Sequence, residues 1–336
     1  MIVTRILVGM LLLLVAGQAS AENCVFTEHD LSALPDTGGA PLEVDIHLYL
    51  NDINEIHDSK QSFVSDVFIR AQWRDSRLVH SGTEPCHVDQ TEIWTPQLQL
   101  LNRRSLEKMR PPRFTVTPDG GVTHAERVYG DFSFREDLSD FPFDQQELRF
   151  IIVSRYESKD VTIVADKNNL AMADELSVSN WKVQLRGGVS SDHYVASLDR
   201  ELSRFDIVFD ARRLTGFYTW QLLVPLVLVV MMTWTVFWIP IEIVPPRVGL
   251  VATSMLTLIA YRFAMSSILP PIAYLTRLDQ FMVASSVLVF GALAATVAVT
   301  WLDARGNSSL AVALNTASRA LAPGLFLLVF VTVFVF

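Results

Sequence analysis

The composition of this chain changes abruptly after Arg213, from a mixed polar and apolar sequence to a predominantly apolar one. The chain beyond it falls into four apolar segments, each long enough to cross a hydrocarbon core that needs ~20 helical residues. Backbone groups find no water inside a bilayer, so such segments must be helices whose hydrogen bonds are internal. The sequence therefore predicts an all-α, four-helix transmembrane domain at 214–336, with helices at about 217–238, 247–267, 278–302 and 310–336.

The second apolar segment carries a stripe of small and polar side chains. The stripe has the ~3.5-residue repeat of one helix face and runs from polar through apolar to polar. Two interpretations stay open from these residues alone. Small residues allow helices to pack closely in lipid, and several copies around an axis could line a water-filled pore with apolar rings at Leu256 and Phe263. The stripe consists of Gly249, Thr253, Leu256, Ala260, Phe263 and Ser267.

The first 21 residues have the pattern of a secretory signal peptide, with Arg5, an apolar run over 6–15 and small residues before the cleavage point. The part that follows is then extracytoplasmic. In an oxidising compartment Cys24 and Cys86 either pair or remain two free thiols. The seven histidines are scattered and Cys86 stands beside a single histidine, so we expect no metal site. No cofactor is expected either.

Between about 41 and 213 the apolar residues recur with period two, and turn sequences such as Pro118-Asp119-Gly120-Gly121 separate the runs. This alternation predicts an antiparallel β-sandwich at 22–213. One face is expected to contain Val44, Ile46, Leu48 and Leu50 in the first run and Phe63, Ser65, Val67, Ile69, Ala71 and Trp73 in the next.

The topology limits the classes of protein that fit. With the sandwich outside, four crossings leave only the short links 239–246 and 303–309 in the cytoplasm, which gives no room for an intracellular catalytic domain. The Ser, His and Asp residues form no nucleophile–base motif, so we do not expect an enzyme. A lectin-like sandwich on an anchor does not explain four spans. A small transporter is the closer rival, although the chain has no internal repeat.

The sequence Phe141-Pro142-Phe143-Asp144-Gln145-Gln146 resembles the signature loop of pentameric ligand-gated ion channels, the Cys-loop receptor superfamily. Other landmarks follow in the family's order, namely Trp94-x-Pro96, Pro118-Asp119-Gly120, Arg213, Pro225 and Leu269-Pro270. The resemblance implies a homopentamer around a central pore lined by the second helix. It also implies a small-molecule agonist, permeant monovalent ions, contact with membrane lipids and no nucleic-acid partner.

Departures from the animal members resemble the bacterial branch. The positions of the animal disulfide read Phe134 and Leu148, and only a few residues link the last two membrane helices. Ala71-Gln72-Trp73 and Leu278-Asp279-Gln280 are similar to the bacterial amine-gated type. We therefore expect a multi-pass protein of a bacterial inner membrane, with the N-terminal domain and the C-terminus in the periplasm.

The resemblance also implies site residues. Coupling between the domains is expected at Phe141, Pro142, Phe143, Asp144, Arg213, Pro270, Pro271 and Tyr274, where Asp144 and Arg213 form either a coupling pair or an ordinary structural ion pair. The agonist pocket at the subunit interface is expected to contain Phe68, Arg70, Trp94, Arg113, Ser154, Arg155, Tyr156 and Tyr194. Cationic side chains repel an amine and hold a carboxylate by charge-assisted bonds, so we expect an anionic agonist such as an aromatic acid.

The signals for charge selectivity conflict. Pro245-Pro246-Arg247 resembles the filter of glycine and GABA receptors, in which the arginine favours anions. Glu242, in contrast, can place a ring of carboxylates at the cytoplasmic mouth. Residues 217–336 contain five Arg and three acidic residues and the signal peptide adds Arg5, so the whole-chain charge of −9 leaves −12 for the sandwich. This charge steers cations inward, and we expect a weak cation preference, with an anion channel of the same fold as the alternative.

Overall fold

The computed structural model describes Cys24, Phe26 and residues 31–108, 113–266 and 269–335. The predicted signal peptide and Ser267 lie outside these residues. Within them, strands form the N-terminal domain and helices form the C-terminal domain, so the predicted fold class is confirmed. The sandwich is not purely antiparallel, because its first strand pairs in parallel with Val161–Val164 and with Leu170–Met172.

The strands form the two layers of a sandwich. One sheet has the order β10-β1-β2-β7-β6-β3, with β5 paired to β7 and β9 paired to β1, and the other has the order β11-β12-β8-β4. The strands are β1 (Leu42–His57), β2 (Ser62–Arg74), β3 (Cys86–Val88), β4 (Gln99–Leu100), β5 (Arg103–Lys108), β6 (Phe114–Val116), β7 (Gly121–Ser133), β8 (Gln145–Glu157), β9 (Val161–Val164), β10 (Leu170–Met172), β11 (Trp181–Val195) and β12 (Arg200–Arg213).

The core lies between the two sheets and follows the period-two pattern. Every second residue of β1 from Val44 to Leu50 is buried, because alternate side chains of a strand point to the same face. Aromatic rings from both sheets meet at the centre, where Phe63 packs against Phe132 with ring centroids 5.5 Å apart and against Phe150 at 5.4 Å. A disulfide between Cys24 and Cys86 ties the N-terminal arm to β3.

Among the residues that the structure describes, four helices are long and apolar enough to cross a membrane: α1 (Gly216–Trp238), α2 (Val244–Ser266), α3 (Arg277–Ala304) and α4 (Ser308–Phe334). Local sequence signals mark where two of these helices, α2 and α3, begin. Pro245 and Pro246 lie in the first turn of α2, where the missing N–H groups have no helical partner to lose. Thr276 and Asp279 form a capping box at the start of α3.

Pro225 lies inside α1 and provides no N–H for the helix. A π-helical turn at Thr219–Leu223 directly precedes Val224, and the hydroxyl of Tyr261 in α2 donates to the carbonyls of Leu222 at 2.5 Å and Gln221 at 3.3 Å. The neighbouring helix thus supplies a donor where the proline cannot, as expected in a packed membrane bundle.

Candidate functional site

Arg213, the last residue of β12, forms the centre of a buried ion cluster at the junction of the two domains. Its side chain is 1% exposed, and it holds Asp144 of the signature loop with two hydrogen bonds, Nε to Oδ1 at 2.8 Å and Nη2 to Oδ2 at 3.0 Å. Such a bidentate guanidinium–carboxylate pair is strong and fixes the orientation of both groups. The two residues predicted from the resemblance are therefore in direct contact.

The same guanidinium holds a second carboxylate, Asp58, that sequence reasoning missed. Nη1 lies 2.8 Å from Oδ2 and Nη2 lies 3.0 Å from Oδ1 of Asp58, which belongs to the turn between β1 and β2. Arg213 also donates to the Tyr218 hydroxyl at 3.0 Å and stacks over the Trp181 ring at 4.1 Å. Burial lowers the pKa of Arg213, but the hydrogen bonds with Asp144 and Asp58 outweigh it, so the pKa is raised. Arg213 is thus charged at every working pH.

The signature loop is hydrogen-bonded directly to the start of α3. The N–H groups of Arg277 and Leu278 donate to the carbonyls of Ser139 at 3.0 Å and Phe141 at 3.3 Å. The N–H of Leu138 donates to the Tyr274 hydroxyl at 2.9 Å. The loop therefore contacts both the segment that joins α2 and α3 and the first turn of α3.

This junction includes an ion pair that the sequence did not suggest. Arg277 Nε lies 2.7 Å from Asp140 Oδ1, and both side chains are partly exposed. Phe143 packs edge-on against Phe334, near the end of α4, with centroids 6.0 Å apart. The loop thus contacts α3 and α4 as well as the end of β12.

The predicted stripe lies on the exposed side of α2 in the single subunit. Leu256 and Phe263 are among its most exposed residues, at 67% and 74%, whereas Val251 and Leu258 of the same helix are buried at 0% and 5%. Apolar side chains this exposed on a membrane-length helix are available to contact lipid or a neighbouring subunit. The other described members of the stripe, Gly249, Thr253 and Ala260, are exposed as well.

Arg247 requires a correction. It was expected beside Glu242, Pro245 and Pro246 at the mouth of a pore, but its side chain is 0% exposed and Nη2 donates to Asn315 Oδ1 of α4 at 2.5 Å. Glu242, Pro245 and Pro246 are exposed. Arg247 therefore faces the interior of its own subunit, and the filter argument for anions loses its charged group.

Two residues predicted for the agonist pocket require a correction as well. Trp94 is 1% exposed and packs edge-on against Trp73, with centroids 6.2 Å apart, since burial of so large an apolar ring is favourable. Ser154 is fully buried and its hydroxyl donates to the Pro96 carbonyl at 2.9 Å. Both support the loops from inside the sandwich and offer no surface to a ligand in this structure.

The remaining predicted pocket residues lie nearer the surface. Tyr194 is 57% exposed and its hydroxyl donates to Asp199 at 2.8 Å. Arg113 and Arg155 are exposed, whereas Arg70 is half-buried and contacts His47 Nδ1 at 2.8 Å. Phe68 is 38% exposed, and Tyr156 is half-buried against the Trp94 ring.

Comparison with known proteins agrees with this architecture. The profile of the neurotransmitter-gated ion-channel ligand binding domain matches residues 21–213, and the profile of the neurotransmitter-gated ion-channel transmembrane region matches residues 222–323. Together they cover both the sandwich and most of the helical domain.

Individual relatives are distant. The chain is 24% identical over 309 residues to the proton-gated ion channel of Gloeobacter violaceus, covering 90% of this chain and 86% of the relative. It is 28% identical to the human gamma-aminobutyric acid receptor subunit rho-3, covering 82% of this chain and 61% of the relative. For the human subunit gamma-3 the identity is 25%, with 81% and 60% covered, so the chain spans about 60% of the length of these animal subunits.

Proposed function

Because the chain belongs to the neurotransmitter-gated ion-channel family, we propose that five copies surround a pore lined by α2 and opened by a small agonist bound between adjacent sandwiches. The observation that carries this proposal is the exposed stripe of α2. It presents Leu256 and Phe263 outward, whereas Val251, Ser254 and Leu258 of the same helix are buried. Five such stripes facing one axis cover each other's apolar side chains and leave an apolar constriction.

The proposed mechanism is a population shift between closed and open pentamers. Agonist binding moves the sandwich, the junction around Arg213 carries the movement to the start of α3, and the α2 helices tilt until the ring at Leu256 widens. In the narrow state an apolar ring excludes water, because no lining group replaces the hydration shell of an ion.

The same proposal places the channel in a bacterial inner membrane with both the sandwich and the C-terminus in the periplasm. The four spans and the bacterial relative support this location. Within the family we place the chain nearest the bacterial amine-gated type, on the Ala71-Gln72-Trp73 and Leu278-Asp279-Gln280 sequences.

Recording from the purified protein in planar bilayers tests the function. Discrete unitary current steps are expected, and they separate a channel from a transporter, whose flux is far too small to produce such steps. A protein that carries ions only as a smooth, saturating flux would contradict the proposal.

For the agonist we propose a small acid rather than an amine. The exposed guanidinium groups of Arg113 and Arg155 support this, because each can hold a carboxylate, and the exposed ring of Tyr194 provides a surface for an aromatic acid. Arg113→Ala and Arg155→Ala should each weaken the response to benzoate by roughly tenfold, the loss of one charge-assisted hydrogen bond. Arg74→Ala, which removes another exposed arginine, is the control. Opening by alkylamines alone would contradict this choice.

A further inference from the structure

Glu136, in the connection between β7 and β8, is a buried carboxyl group that the coupling pair does not require. Its side chain is 0% exposed. Oε1 lies 3.5 Å from Arg213 Nη2, and Oε2 has no hydrogen-bond partner among the residues that the structure describes. A buried carboxylate with one long contact is unfavourable, because burial in a medium of low polarity disfavours the charged form.

The groups around Glu136 make a negative charge there still less favourable. Arg213 already holds Asp144 of the signature loop and Asp58 of the β1–β2 turn in close pairs, and Tyr218 of α1 contributes only a neutral hydroxyl. One positive charge thus faces two negative charges before Glu136 is counted. Ionised Glu136 would leave the cluster with a net charge of −2.

We propose that Glu136 is a proton-binding site of the domain junction, occupied at neutral pH and emptied in alkaline solution. In the occupied state the carboxyl group of Glu136 carries one hydrogen. On emptying, the O–H bond of Glu136 breaks and the proton passes to hydroxide. The resulting repulsion between three carboxylates loosens the contact of the signature loop and the β1–β2 turn with Arg213. Protonation of Glu136 does not depend on the proposed function. Only the effect of this protonation on opening of the pore rests on the proposed function.

The direction of the pH effect follows from the two states of the chain. Burial, followed by the neighbouring Asp58, raises the pKa of Glu136 from 4.5 to about 9. Between these two values the folded protein holds a proton that the unfolded chain has lost, so folded stability falls as the pH rises through this window and this contribution levels off above it. Glu136→Gln has no proton to lose. The melting temperature of the wild type should therefore decline relative to that of Glu136→Gln from pH 5 to pH 9.

Infrared spectroscopy of the purified full-length protein reports the proton directly. We expect the carbonyl band of a protonated carboxyl group at pH 7, with a midpoint of loss near pH 9, and we expect Glu136→Gln to lack this band. Glu147→Gln is the control, because hydrogen bonds from Arg149 and Arg186 lower the pKa of Glu147 and keep it ionised. Asp58→Asn should move the midpoint to lower pH, which keeps the test available if Glu136→Gln does not fold. An unchanged band in Glu136→Gln, or no band in the wild type at pH 7, would overturn the proposal.

Bilayer recordings give the second readout. The open probability of the unitary currents should change between pH 7.5 and pH 10 in the wild type and stay constant in Glu136→Gln. An equal change in both proteins would overturn the regulatory role. Absence of any unitary current would contradict the proposed function. The infrared titration would still decide whether Glu136 binds a proton.

Discussion

At the scale of single residues, the angle of each side chain around α2 decides whether it can meet an ion. Successive residues of a helix are rotated by about 100°, so Arg247 points about 200° away from Gly249, two positions later. Pro245 and Pro246, four and three positions before Gly249, return to its side. The periodicity that identified the stripe already assigns Arg247 to the opposite face, and the error came from transferring a family motif without this geometry.

The buried pairs at Arg213 lead to a prediction about stability. Asp144→Asn removes one partner of a buried ion pair and should destabilise the protein by about 3 kcal/mol or more. Asp140→Asn breaks the partly exposed pair with Arg277 and should cost less than about 1 kcal/mol. Thermal unfolding of the two purified variants measures the difference. Similar losses would show that burial does not set the strength of these contacts.

Asp58 shows where sequence reasoning ends at this scale. It lies 155 positions from Arg213 in the chain and belongs to a short turn without a recognisable motif. Only the packing of the sandwich onto the helices brings the two together. Exchanging the charges of Asp144 and Arg213 would place a new carboxylate at position 213, beside Asp58 and Glu136. Such an exchange is not expected to restore the junction.

The apolar ring gives a second residue-scale prediction. Leu256→Ser should hydrate the closed constriction and produce a standing current or a lower agonist requirement, because the hydroxyl can replace water around an ion. Leu256→Met keeps the ring apolar and is the control. Bilayer currents without agonist measure the effect. If Leu256→Ser leaves both the resting leak and the concentration–response curve unchanged, the constriction lies elsewhere.

At the scale of elements, regular alternation of apolar residues correctly identified the buried face of a strand, whereas a shift in strand register could not be predicted from it. The alternation in β1 and β2 identifies the core face because every second side chain points inward. In β8 the register with β12 shifts between Val153 and Glu157, and Ile152, Val153 and Ser154 are all buried. Every second residue from Gln146 to Ser154 is buried, so alternation already places Ser154 in the core, and Val153 is the residue that departs from it.

The proline of α1 provides a prediction for a helix pair. Tyr261→Phe removes the hydroxyl that serves the carbonyls before Pro225, and it should destabilise the protein by about 1–2 kcal/mol. In a Pro225→Ala background the new N–H competes for the same carbonyls, so the loss should shrink. A double-mutant cycle from thermal unfolding measures this coupling. Strictly additive losses would mean that the hydroxyl does not compensate for the proline.

At the scale of the whole molecule, the burial of Arg247 leaves Glu242 as the exposed ionisable residue closest in sequence to the start of α2. In the proposed pentamer the net charge of the sandwiches would make the vestibule strongly negative, although salt screens charges beyond ~8 Å at physiological ionic strength. We therefore predict a weak cation preference, measured as a reversal potential displaced toward that of sodium in a sodium chloride gradient.

Glu242→Gln should reduce this displacement, whereas Asp303→Asn, in the last turn of α3, should leave it unchanged. A wild-type reversal potential close to that of chloride would reject the cation preference. If Glu242→Gln kept the wild-type cation preference, that preference would be assigned to the charge of the vestibule.

Two neighbouring residues of α2 test whether this helix lines the pore. Thr253 belongs to the exposed stripe, whereas Ser254 is fully buried, and both native cysteines are held in a disulfide. Thr253→Cys and Ser254→Cys each introduce one small thiol, and bilayer currents are recorded before and after a charged thiol reagent. If α2 lines the pore through its exposed stripe, the reagent should reduce the current of Thr253→Cys severalfold and leave the current of Ser254→Cys unchanged. Equal block of both variants, or block of Ser254→Cys alone, would contradict the account.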